Sequence, residues 1–147
     1  MGRDDLHVTL VFLGWRGPGL VARLWEVASA AVPGVGGAAR LEPAGVVRVP
    51  PRRPRLLALD LRDQGGVATE LYGAVADALE DEGLYEREQR PFWPHVTVAR
   101  VRKGGRAPRR VAQPRMAAFA PEALVLYRSE LSREGGRYTA LERHPLV

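Results

Sequence analysis

The sequence predicts an α+β protein with antiparallel sheets, and three observations carry that expectation. Apolar residues switch between strand-like runs and helical spacing, in the order strand, helix, strands, helix, strands. Two late strand-like runs are joined by a turn around Gly135-Gly136, too short for the crossover that parallel strands need. The length, 147 residues, suits one domain or two small lobes sharing a core.

Residues 6–13 read as a strand, β-branched and aliphatic up to Gly14. Gly17-Pro18-Gly19 breaks the chain, and Pro18 is suited to open a helix. Leu20, Leu24, Val27, Ala28 and Ala31 share a helical face as far as Val32, where Pro33-Gly34 stops it. Residues 38–49 predict two short strands broken at Pro43-Ala44-Gly45, then an Arg/Pro loop over 50–54 and a strand over 56–61. Val67, Leu71, Ala74, Val75, Ala78 and Leu79 recur at helical spacing, with Gly83 as the C-terminal cap. A charged loop over 85–94 leads to a strand over 95–101 and a basic loop over 102–114. Strands over 124–131 and 137–141 complete the chain.

Composition narrows the function. No apolar run approaches the roughly 20 residues that cross a bilayer. Arg3, Asp4 and Asp5 do not begin a signal peptide, and Leu6 stands where a myristoylation pattern needs Ser or Thr. The absence of cysteine removes disulfides, thiolate metal sites and cysteine nucleophiles, and a cytoplasmic location is expected. The formal charge is +5, and Lys103 is the only lysine, so arginine carries almost all the positive charge. Arginine suits bidentate phosphate contacts, although a GC-rich coding sequence would produce the same bias. A basic chain favours a polyanionic partner such as RNA.

The informative motif is a repeat. His7-Val8-Thr9-Leu10 recurs 88 positions later as His95-Val96-Thr97-Val98, in a chain with three histidines and four threonines. Side chains alternate along a strand, so His7 and Thr9 share one face and His95 and Thr97 share another. If the two strands meet across a cleft, two imidazoles and two hydroxyls surround one small site. That set suits phosphodiester chemistry: one neutral histidine accepts a proton from water while the other, protonated, gives one to the leaving oxygen. The hydroxyls can bond the non-bridging oxygens, where charge accumulates. Two histidines with no third ligand nearby make a poor zinc site, so neither a metal nor a cofactor is expected. His144 lacks the motif and reads as a surface or packing residue.

These motifs resemble those of the 2H phosphoesterase superfamily, which is defined by two His-x-Thr/Ser-x units. Within it, the chain is most similar to bacterial and archaeal RNA 2′,3′-cyclic phosphodiesterases, first described as 2′-5′ RNA ligases. The likeness covers nearly the whole chain. It includes Leu6-His7-Val8-Thr9-Leu10-Val11-Phe12-Leu13-Gly14, Arg53-Pro54-Arg55, the run from Arg90-Pro91-Phe92-Trp93-Pro94 through His95-Val96-Thr97-Val98-Ala99-Arg100, and Leu126-Tyr127-Arg128-Ser129-Glu130-Leu131.

The resemblance implies one domain over residues 1–147, built as a bilobal, pseudo-twofold LigT-like fold with antiparallel sheets lining a central cleft and helices outside. It implies hydrolysis of RNA 2′,3′-cyclic phosphate ends, or of nucleoside 2′,3′-cyclic phosphates, to 2′-phosphomonoesters. His7 and His95 match the catalytic positions, and Thr9 and Thr97 the phosphate-binding ones. We take His95 as base and His7 as acid, an order the sequence does not itself dictate. Phe12 and Arg100, each five residues after a motif histidine, match a base clamp; the alternatives are a core Phe12 and a solvated Arg100. The competing functions are 2′-5′ ligation through the same histidines and an RNA-end binding module without turnover.

Family members carry a strand and a helix before the first motif, and here His7 lies almost at the N-terminus. The family implies a monomer, whereas a sheet edge bared by a missing strand would favour a dimer. Arg52, Arg53 and Arg55 are candidates for a basic rim. Arg106, Arg109 and Arg110 are either RNA-tail contacts or a solvated loop. Arg128 either reaches phosphate or pairs with Glu130.

Overall fold

The run Leu56-Leu57-Ala58-Leu59-Asp60-Leu61 is too densely apolar for a strand with a wet face, and it becomes the middle of a sheet. In a computed structural model, which describes residues 6–132 and 135–146, β2 (Leu56–Gln64) lies between β1 (Arg40–Val49) and β3 (His95–Arg100), all antiparallel. Leu57, Ala58, Leu59 and Leu61 are all buried. A second sheet is the long hairpin of β4 (Ala123–Ser132) and β5 (Gly135–Pro145). Gly135 and Gly136 begin β5, opposite Ser132 and Leu131; the expected turn includes residues 133 and 134, which lie outside the described residues.

Two helices cover the core. A 3-10 turn at Pro18–Leu20 leads into α1 (Val21–Ala30), and a second at Val32–Gly34 closes it, so the α-helix is shorter than the apolar spacing predicts. Proline at the head of each turn favours these tighter ends. Helix α2 (Val67–Asp81) matches its sequence pattern, burying Leu71, Val75 and Leu79. Gly83, at φ 68°, ends it as expected. Its N–H bonds Glu80 O at 2.9 Å and that of Leu84 bonds Leu79 O at 2.8 Å, the paired bonds of a Schellman cap.

Two expectations are corrected. Residues 40–49 form one strand, because a bulge between Pro43 and Gly45 absorbs the break. Proline donates no ladder bond, and Gly45 takes φ 138° there. Residues 6–13 form no regular strand; an isolated antiparallel bridge, Val8 to Val96, is their pairing with the sheet. The cause is packing. Val8 joins the core under the first sheet with Leu41, Leu59 and Leu61. Leu10, Val11 and Leu13 join the core between the helices with Leu24, Leu71 and Leu79. The neighbours Leu10 and Val11 serve the same core, which strict alternation of faces would not permit. Among the described residues, no helix is long and apolar enough to cross a membrane.

Candidate active site

One bridge decides how the two motifs meet. Directly opposed residues of an antiparallel pair project to the same side. Val8 and Val96 are opposed, and both pack against the core beneath the sheet. Their neighbours His7, Thr9, His95 and Thr97 therefore project to the other side. The motifs thus lie side by side where Val8 meets Val96. An antiparallel register continued from this bridge sets His7 opposite Thr97 and His95 diagonal to it, about 7–8 Å apart by ordinary sheet geometry. His7, His95 and Thr97 are half-buried and Thr9 is exposed.

Each imidazole is held differently. The His95 ring stacks on Trp93, centroids 4.0 Å apart and planes 16° from parallel. Its Nδ1 lies 2.8 Å from the Trp93 carbonyl oxygen. A carbonyl only accepts, so Nδ1 is the donor and Nε2 is left for chemistry. The Trp93 indole N–H in turn donates to Asp60 Oδ1 at 2.7 Å, and Asp60 is the cross-strand partner of His95. His7 sits against the second sheet, its ring 4.5 Å from that of Tyr138 in an edge-on contact and 5.5 Å from that of Tyr127. It is thus at the joint between the sheets. Asp60, Tyr127 and Tyr138 were not singled out from the sequence. Asp60 has a legible signal, a carboxylate within the apolar run from Leu56 to Leu61; Tyr138 has none, because it meets His7 only through the fold.

Arg100 also reaches this surface, by an irregularity. Five residues after His95, simple alternation would turn it to the opposite face. The ladder pairs Thr97 with Ala58 and Ala99 with Leu57, so Val98 is an extra residue in β3. Arg100 then falls opposite Leu56, on the face shared by Ala58 and Asp60, about 13 Å from His95 along the sheet. Phe12 is 71% exposed, which replaces the core reading of that residue. Arg100 is also exposed, and among the described residues it does not stack on Phe12. Arg128 Nε is 3.9 Å from Glu130 Oε1, so the ion-pair alternative holds for it. His144 is half-buried in β5, opposite Leu124.

The fold has close counterparts. TT0787 of Thermus thermophilus superposes with a TM-score of 0.80 at 26% identity, over 99% of this chain and 80% of that one. E. coli LigT, solved with 3′-AMP, gives a TM-score of 0.71 at 24% identity, over 97% of this chain and 77% of that one. No family model matches the chain. With two antiparallel sheets, two helices and these counterparts, this chain has the LigT-like 2H phosphoesterase fold. More particularly, a curated homologue from Geobacillus stearothermophilus, named RNA 2′,3′-cyclic phosphodiesterase, is 31% identical over 98% of this chain. The chain spans about half, 46%, of that relative's length.

Proposed function

We propose that this protein hydrolyses 2′,3′-cyclic phosphates at RNA ends to 2′-phosphomonoesters, with its two motif histidines as the acid–base pair and no metal ion. The Val8–Val96 bridge supports the reading, because it brings the two motifs side by side, where an ordinary antiparallel register would space the imidazoles for one phosphate. The name of the Geobacillus relative and the nucleotide bound by E. coli LigT support the substrate class.

His95 Nε2 takes a proton from a water molecule, whose oxygen attacks phosphorus. The bond from phosphorus to O3′ breaks, and O3′ takes a proton from His7. The product is a 2′-phosphate beside a free 3′-hydroxyl. His95 leaves the cycle protonated and His7 neutral, and exchange with solvent resets them. Thr9 and Thr97 hydrogen-bond the non-bridging oxygens as negative charge gathers there. General acid and general base catalysis each contribute typically 10²–10⁴-fold, so the loss of either imidazole is expected to lower kcat by about that factor.

The test is incubation of a 2′,3′-cyclic-phosphate oligonucleotide in excess EDTA, with the product identified by its phosphate position. A 2′-phosphate that disappears in both His7→Ala and His95→Ala is the expected result. Activity that appears only with added metal, or that survives either substitution at the native rate, overturns the mechanism. Tight binding without turnover by the unsubstituted chain would mark an RNA-end binding module instead.

A further inference from the structure

The loop joining β1 to β2 and the loop after β3 flank an open cavity of about 1000 Å³ that neither motif histidine lines. Arg52, Arg53 and Arg55 line it from the first loop, and Arg102, Lys103 and Arg106 from the second. Arg48 and Arg100 complete the set, and among the described residues no acidic side chain lines it. The whole chain carries 22 basic and 17 acidic residues, so a cavity that gathers eight cations and no carboxylate is sorted by sign, beyond what composition supplies. Among the described residues, none of the eight is paired with a carboxylate.

The walls are tied together. Arg55 N–H bonds Val49 O at 2.8 Å and Val101 N–H bonds Arg55 O at 2.8 Å, joining the two loops at their roots. The Arg48 guanidinium also donates to the Pro108 carbonyl, linking β1 to the second loop. Gathering so many like charges is unfavourable unless an anion shares the space. The volume is at the upper end of the roughly 300–1000 Å³ that small-molecule sites occupy, so there is room for more than a single phosphate. Among the described residues no aromatic ring lines it, so it offers no aromatic platform for bases; the guanidinium forks match phosphodiester oxygens.

Arg100 connects this cavity to the histidine surface, which it shares through the bulge in β3. We infer that the basin binds the phosphodiester backbone of single-stranded RNA upstream of its cyclic-phosphate end. This inference rests on the phosphodiesterase reading for its choice of RNA. The terminal nucleotide lies at the histidines while the preceding phosphates run past Arg100 into the basin. Recognition is by charge, so it is independent of base sequence and gives the enzyme a preference for oligonucleotides over mononucleotides.

Binding is read by fluorescence anisotropy with 5′-labelled single-stranded RNA ending in a 2′,3′-cyclic phosphate, on the full chain carrying His95→Ala to prevent turnover. Arg52→Ala/Arg53→Ala and, separately, Arg102→Ala/Lys103→Ala are each expected to weaken binding about tenfold or more, equally for unrelated sequences. Each pair should also flatten the plot of log affinity against log salt by about one unit or more, as lost phosphate contacts require. Arg52, Arg53, Arg102 and Lys103 all stand outside the strands, so thermal unfolding against the His95→Ala parent serves as the control for folding.

Affinities within twofold of the parent in both double variants overturn the inference. So does an equal affinity for a polyglutamate peptide of the same charge, which would mark an acidic-peptide site. Turnover by the unsubstituted chain separates the two readings. A preference of about tenfold or more in kcat/KM for RNA over a nucleoside 2′,3′-cyclic phosphate is expected. Equal kcat/KM values overturn the basin and leave the phosphodiesterase standing. Salt-sensitive RNA binding through the basin with no turnover of either substrate overturns the phosphodiesterase and leaves the basin.

Discussion

His95 is held by a relay that ends on Asp60, a carboxylate with which it shares no hydrogen bond. Asp60 accepts the Trp93 indole N–H, Trp93 stacks on the imidazole, and the Trp93 carbonyl accepts Nδ1–H. All three links run through Trp93, so the indole's orientation fixes the imidazole plane. Asp60 is thus a positioning residue for His95. Asp60→Ala removes the acceptor, freeing the indole and tilting the imidazole above it. Small misplacements of a reacting group cost up to about a hundredfold, and a drop of about tenfold in kcat with KM nearly unchanged is expected here. Asp60→Asn keeps an oxygen acceptor and should restore most of that rate. Steady-state kinetics of the two variants checks the claim. A wild-type kcat in Asp60→Ala, or a loss in KM alone, removes Asp60 from the site.

At the level of elements, helix α2 shows what the sequence made readable and what it hid. Its C-terminus was legible because Gly83 does a job that only the local chain defines. Its N-terminus was not. The residue before the helix, Gly66, offers no side chain, and the cap comes from Asp63 near the end of β2. Asp63 accepts the N–H groups of Ala68 and Thr69 at 3.2 and 2.7 Å, and the Thr69 hydroxyl at 2.8 Å. The strand was expected to end at residue 61, short of that position, so the contact was invisible. Asp63→Ala is expected to cost about 1–2 kcal/mol, in line with other N-terminal caps. For a chain of this size, that lowers Tm by about 2–4 °C for each kcal/mol, read by thermal circular dichroism. An unchanged Tm would mean that solvent satisfies those N–H groups equally well. The bulge at Val98 belongs to the same category of hidden feature. The family likeness marked Arg100 as a base-clamp position, but alternation points it away from His95, and only cross-strand register turns it back.

Across the whole molecule, the site is assembled where the two cores meet, and the piece that carries His7 meets the first sheet at one bridge. Val8 anchors in one core and Leu10, Val11 and Leu13 in the other, so the segment spans both. The repeated motif made the histidine pair legible, because recurrence survives without knowledge of packing. The way the segment is held was not legible, because it depends on two cores that exist only after folding. Among the described residues, its backbone joins the sheet through the single Val8–Val96 bridge, whereas β1 and β2 are paired over nine register positions. Local openings cost least where ordered backbone bonds are fewest. The first opening is therefore expected to release residues 6–13 while the β1–β2–β3 sheet persists. That motion alone separates His7 from His95. Activity should then fall at a lower denaturant concentration than the far-ultraviolet circular dichroism signal. Amide exchange should also be faster over residues 7–13 than over Leu57, Ala58 and Leu59. Coincident midpoints, with equal protection in the two regions, would show that the segment is bound as firmly as the sheet and that its side-chain anchors outweigh the missing ladder.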